Sequence, residues 1–145
     1  MSIDPFEQIK LGEEHTIQKT VSESDVYLYA GIVGDFHPNH VNAVYAEEKL
    51  GARVAHGALL PGFVSRCTVE LIGPRLNPPG YAAQTFNIKF LSPVFIGDTI
   101  SVKVAVSRID RESRKIFMSA EITSQDGRLC AIGDTNIKVL REKVG

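Results

Sequence analysis

Gly34-Asp35-Phe36-His37-Pro38-Asn39-His40 puts one carboxylate and two imidazoles within a single short stretch. Asp35 and His40 are five positions apart, more than the ~3.6 residues of one helical turn. A loop folded back at Pro38 brings both side chains to one small volume. There a carboxylate and an imidazole can hold a water between them. That pair is the minimum equipment for moving a proton to or from carbon at neutral pH, provided the site is partly desolvated. The same residue types are all tolerant of turns, so an ordinary surface loop also accounts for them. Asp35-x-His37-x-x-His40 is in addition three-ligand spacing for zinc or iron. Pro38 restricts His37 to extended conformations and no fourth ligand accompanies the set, so no metal is expected.

His56-Gly57 is the second place where chemistry is available, because it opens an apolar helical segment. A glycine amide at a helix N-terminus sits at the positive pole, is not claimed by the helix, and has no Cβ to block a ligand carbonyl. It can serve as an oxyanion donor, and removing such a donor typically costs ~100- to 1,000-fold in rate. A turn in which glycine relieves crowding is the plainer alternative.

The elements that must position these residues are legible in the periodicity. Ser22-Glu-Ser-Asp25 is a capping-box-like start, and Val26, Tyr27, Ala30 and Val33 give a short helical face that stops at Gly34. A second short helix is expected from about Ala43 to Leu50, closed by Gly51. From about Ala58 to Ile72 runs the longest helical candidate, apolar nearly all round, with Leu59, Leu60, Phe63, Val64, Cys67 and Leu71. Such a helix is normally buried. Pro61 belongs in its first turn, so the helix should start close to Gly57 or Ala58.

After a loop with Pro74, Pro78, Pro79 and Gly80 the period changes to two. Phe86, Ile88 and Phe90 alternate with polar neighbours, Ile100–Val106 alternates with Ser101, Lys103 and Ala105, Ile116–Ile122 with Phe117, Ser119 and Glu121, and a last run covers Leu129 to Leu140. Gly97-Asp98, Asp110–Arg114 and Asp126-Gly127 are the turns between them. An antiparallel meander of four strands with one apolar face is expected, curved around the helix. Such a sheet leaves an edge unpaired, and two copies joined edge to edge remove it, so a homodimer or higher homo-oligomer is expected.

Composition narrows the partners. The 145 residues fit one domain spanning 1–145, and 43% are apolar. Lys and Arg number 16 against 17 Asp and Glu, for a net charge of −1. That balance provides no field for nucleic acid or an anionic membrane. The longest run without Asp, Glu, Lys or Arg, Leu76–Ile88, is 13 residues with two prolines, too short and too polar for a membrane span. The opening Met1–Glu7 carries two acids and no secretory pattern. Cys67 and Cys130 match no metal or redox spacing and read as small buried hydrophobes. A soluble cytoplasmic protein is expected. Arg108, Arg111, Arg114, Lys115, Lys138, Arg141 and Lys143 read as solvated charges at strand ends, and Tyr27, Tyr29, Phe36 and Phe63 as core.

Taken together, Tyr29–His40, Ala55-His56-Gly57-Ala58-Leu59-Leu60 and Phe90–Asp98 resemble the MaoC-like, (R)-specific enoyl-CoA hydratases, in order and in register over roughly Val21 to Leu140. The resemblance implies an α+β hotdog fold, a long central helix wrapped by a curved antiparallel sheet. It implies hydration of a trans-2-enoyl-CoA to a 3-hydroxyacyl-CoA, or the reverse dehydration. Asp35 and His40 are then the catalytic pair and the Gly57 amide binds the thioester oxygen, with Phe36, His37 and His56 as substrate contacts. No cofactor is implied beyond the coenzyme A of the acyl-CoA substrate. Two departures stand out: His37 replaces the family's Asn and Asn39 its aliphatic residue. A hotdog acyl-CoA thioesterase and a non-catalytic acyl-CoA-binding module are the alternatives. The thioesterase's acid belongs near the central helix, where only Glu70 is found, well past the N-terminus.

Overall fold

The computed structural model describes residues 3–143. Five antiparallel strands form one sheet: β1 (Glu14–Thr20), β2 (Tyr81–Phe90), β3 (Thr99–Asp110), β4 (Lys115–Thr123) and β5 (Leu129–Val139), in the order β1-β3-β4-β5-β2. Four helices precede β2: α1 (Glu23–Val33), α2 (Pro38–Val41), α3 (Ala43–Leu50) and α4 (Leu60–Ile72). Helix α4 lies against the sheet. Its Val64, Cys67 and Ile72 join Val102, Val104, Ile116, Met118 and Ile122 in one buried cluster. Burying each aliphatic side chain of this kind is worth ~1.5–3 kcal/mol.

The local signals explain the helix ends. Ser22 Oγ accepts from the Asp25 amide at 3.1 Å while the Asp25 carboxylate accepts from the Ser22 amide at 2.8 Å, a complete capping box. Gly34 closes α1 at φ +81°, where only glycine is free of strain. Helical structure begins at Gly57 as expected, but its first turn, Gly57–Leu59, is 3₁₀ and the α-helix proper begins at Leu60. Pro61 is the reason. It has no N–H to give the Gly57 carbonyl, so the Leu60 amide takes that carbonyl instead.

Four expectations need correcting. The sheet is not a four-strand meander: β1 is a fifth strand, and β2 pairs with β5 instead of β3. Strand β1 has only Ile17 buried, so its sequence lacks an apolar alternation to announce it. Alternation assigns faces, while neighbours are decided by where the connections run. Close packing of β2 over β5 is tight enough that a Cβ on Gly133 would lie 1.8 Å from the Asn87 carbonyl oxygen. Second, α4 is covered on one side only. Gly62 and Val69, 48% exposed, mark an open face, because a single sheet shields one side of a helix. Third, Arg114 is buried, with its guanidinium on Asp4 and the carbonyls of Val139 and Leu140. That hydrogen bond from Arg114 is the main cause holding the Asp4 carboxyl below its ordinary range. Fourth, Tyr27 and Phe36 are exposed and not core.

Candidate active site

Four short pieces of chain converge on Asp35 and His40. The first is the end of α1, which delivers Asp35 immediately after Gly34. The second is α2, a single helical turn where a loop was expected. Pro38 occupies its first position, the one place in a helix where a missing N–H costs nothing. His37 caps it: its Nδ1 accepts from the Asn39 amide at 3.1 Å. The ring nitrogen serves as an acceptor, as the side-chain oxygen of an Asn at an N-cap would. His37 is exposed, and its ring lies edge-on to His40 at 6.2 Å.

The third piece is the extended segment Arg53–Ala55. The Val54 amide bonds to the Asn39 carbonyl at 3.0 Å, and the Ala55 amide to that of Val94 at 2.8 Å. Arg53 ties this segment to α1 through Glu23 at 2.6 Å and the Tyr27 hydroxyl at 2.9 Å. The Tyr27 hydroxyl and then Arg53 hold the Glu23 carboxyl below its ordinary range.

His40 is buried, and its Nδ1 lies 2.7 Å from the Val54 carbonyl oxygen. A carbonyl oxygen only accepts, so Nδ1 carries a proton, and in the neutral ring Nε2 is the nitrogen with the lone pair. Asp35 is exposed, and its Oδ1 accepts from the His37 amide at 3.2 Å. One ligand-capable atom from each of Asp35, His40 and His56 falls within 4.8 Å of the others. The trio brought together is therefore Asp35, His40 and His56, and His37 of the spacing-based set stands outside it. Two ring nitrogens of the trio are committed to backbone carbonyls, His40 Nδ1 to Val54 and His56 Nε2 to Asp35 at 2.8 Å.

The fourth piece is the start of the long helix. A cavity of about 380 Å³ runs from His40 and Gly57 between Leu60, Phe90 and Val94. Its walls are mostly apolar, with Asn39, His40 and Ser92 as the polar side chains, the mix that suits an apolar ligand held by a few polar groups. The Gly57 amide donates to no acceptor among the described residues. A Cβ there would touch the Phe90 ring at 3.6 Å, filling the gap between ring and amide. Phe36, expected at the substrate, is 58% exposed on the loop tip. His56, expected there too, is 1% exposed and lies behind the cavity.

Sequence reasoning missed Val54, whose carbonyl sets the tautomer of His40, and Phe90 as the wall facing Gly57. A backbone carbonyl leaves no mark in residue type. A larger hollow, about 450 Å³, lies between Asp4, Pro78, Arg114 and Arg141, where Arg114 is already spent on its own clamp.

The chain matches the model of the MaoC like domain over residues 7–127. It is 37% identical to an (R)-specific enoyl-CoA hydratase of Rhodospirillum rubrum, over 92% of this chain and 90% of that protein. Identity to a 3-hydroxybutyryl-CoA dehydratase of Methylorubrum extorquens is 35%, over 89% of this chain and 75% of that one. Among solved structures, unliganded R-hydratase PhaJ1 from Pseudomonas aeruginosa superposes with a TM-score of 0.83 at 25% identity, covering 97% of this chain and 87% of that one.

Proposed function

The chain belongs to the MaoC-like domain family, and we propose that it catalyses (R)-specific hydration of a trans-2-enoyl-CoA to a 3-hydroxyacyl-CoA, or the reverse dehydration. The observation that carries this reading is the fixed tautomer of His40. Its Nδ1–H is spent on the Val54 carbonyl, which leaves Nε2 as the ring nitrogen free for proton exchange, on a side chain clustered with the Asp35 carboxylate. The relatives named as enoyl-CoA hydratase and 3-hydroxybutyryl-CoA dehydratase support the substrate class.

In this reading Asp35 and His40 hold one water between them. As the water oxygen bonds to Cβ, one of the pair takes its proton, and electron density moves to the thioester oxygen. The Gly57 amide, at the helix N-terminus and without another acceptor, stabilises that developing charge. A proton is then returned to Cα on the same face, the enolate collapses, and the pair regains its starting state. General acid–base help contributes ~100- to 10,000-fold and the oxyanion donor ~100- to 1,000-fold, so the two act together. The reaction needs no cofactor beyond the coenzyme A carried by the substrate.

Asp35 is open to solvent in the single chain, while proton transfer of this kind gains from desolvation. The open face of α4, the exposed Phe86 and Phe90, and the unpaired edge of β2 all call for a cover. A second copy of the chain joined along β2 supplies it, and the working form is proposed as a homodimer acting on soluble acyl-CoA in the cytoplasm. No helix among the described residues is long and apolar enough to cross a membrane.

Incubation with crotonyl-CoA tests the function. Loss of enoyl absorbance without free thiol is expected. Release of thiol would make the protein a thioesterase, and tight binding with neither change would make it a carrier of acyl-CoA. Sedimentation equilibrium at micromolar concentration tests the dimer, and a monomer there would overturn it.

A further inference from the structure

His56 touches both members of the pair while standing outside the cavity. Its Nε2 lies 2.8 Å from the Asp35 backbone carbonyl oxygen, which can only accept, so Nε2 carries the proton. Its ring stacks on that of His40 with centroids 3.7 Å apart and planes at 26°. Tyr29, on α1, braces it edge-on at 4.8 Å. The other nitrogen, Nδ1, is buried without a hydrogen-bond partner. Leaving a buried polar atom unpaired costs stability, and a phenyl ring would fill the same space without that cost. What phenyl cannot supply is the Nε2–H donated to Asp35.

Asp35 follows a left-handed glycine on an exposed loop, where little else restrains its backbone. Among the described residues, the bond from His56 is the one hydrogen bond to its carbonyl. We infer that His56 is a positioning residue, a buried spacer that fixes the Asp35 backbone with one nitrogen and the His40 ring with its face, and so sets the separation of the two groups. This inference rests on the proposed hydratase reading for its effect on rate, but its effect on the loop stands apart from any substrate. Misplacing a catalytic group by an ångström costs on the order of 100-fold.

The test uses full-length protein with His56→Phe, which keeps the ring and loses the donor, and His56→Gln, whose amide nitrogen reaches the same carbonyl. Backbone ¹⁵N relaxation at Asp35, Phe36 and His37 reports loop order, and kcat and KM with crotonyl-CoA report alignment. In His56→Phe, order at those three amides is expected to fall and kcat to drop about 100-fold, with KM within about threefold. His56→Gln is expected to restore loop order and bring kcat to within about tenfold of wild type, the residue of the loss reflecting the missing stack. Unchanged loop order in His56→Phe would overturn the inference. So would a KM rising as steeply as kcat falls, which marks a substrate contact, or His56→Gln behaving no better than His56→Phe, which marks mere packing. Should His56→Phe not fold, His56→Asn, whose shorter amide stops short of the carbonyl, takes its place with the same outcomes. A wild type that does not turn over crotonyl-CoA rejects the hydratase reading, and the loop measurement then still decides the role of His56.

Discussion

Gly34-Asp35 and Gly97-Asp98 are the same dipeptide, and both glycines turn the chain at positive φ, +81° and +97°. Their carboxylates end in opposite circumstances. Asp98 is 7% exposed and accepts from the Phe95 amide at 2.8 Å, Gln125 at 2.9 Å and Arg128 at 3.0 Å. Burial pushes its pKa up, but the hydrogen bonds from Gln125, Phe95 and Arg128 outweigh that and hold it below the ordinary range. Asp35 is exposed and accepts one hydrogen bond, from the amide of its own loop. A carboxylate whose acceptor sites are filled by protein donors braces the fold. One whose sites stay open can hold a water and exchange a proton with it. What separates a strut from a carboxylate left free to react is its supply of donors.

The contrast predicts opposite effects from similar substitutions, and the largest falls at the open carboxylate. Asp35→Asn should lower kcat with crotonyl-CoA by ~100- to 10,000-fold, while denaturant unfolding shifts by no more than ~0.5 kcal/mol. Substantial activity in that variant would end the assignment. His40→Gln should show a similar loss of rate with a stability cost of ~1 kcal/mol for its bond to Val54. Asp98→Ala should do the reverse. It strands the Phe95 amide and the Gln125 side chain and takes one acceptor from Arg128, which keeps Asp126 and the Pro93 carbonyl. Stability should therefore drop by ~1–3 kcal/mol in urea while kcat of the folded protein stays within about twofold.

A pH series sharpens the same comparison. The Asp98 pKa is lowered in the folded state, so its ionised form is favoured by folding and its contribution is complete above the unfolded value. That contribution is lost as pH falls below 3.8 and through the folded pKa. Urea midpoints taken from about pH 5 downward should therefore fall more steeply for wild type than for Asp98→Asn. Parallel curves would show that Asp98 gains nothing from its donors. The smallest effect is expected at His37→Asn. Asn caps a helix as well as this imidazole does, so activity should remain within about threefold, and a larger change would give His37 a part in the chemistry.

Much of this was legible in the residues. The capping box at Ser22, the glycine stops at Gly34 and Gly51, the long helix and the later strands were written in local patterns, because backbone preference and side-chain period act within a few residues. Strand β1 was not legible, having one buried side chain to show. Nor was the placement of β2 beside β5, since alternation is silent about partners. At the candidate site, residue type and spacing singled out Asp35, His40 and Gly57, and the structure brings Asp35 close to His40 and sets Gly57 beside His40 along one cavity. The cap made by His37 was not legible, because the segment around Pro38 reads as a loop.

By itself, then, the sequence determined which groups with chemistry exist, which helices begin and end beside them, and which glycines the turns require. Each of those depends on interactions between near neighbours in the chain. Only the tertiary structure decided that the Val54 carbonyl selects the tautomer of His40, that His56 and not His37 stands third beside the pair, and that Asp98 is saturated while Asp35 is left open. Hydrogen bonds between residues 14, 21 and 30 positions apart do that work, and their partners meet only in the folded chain.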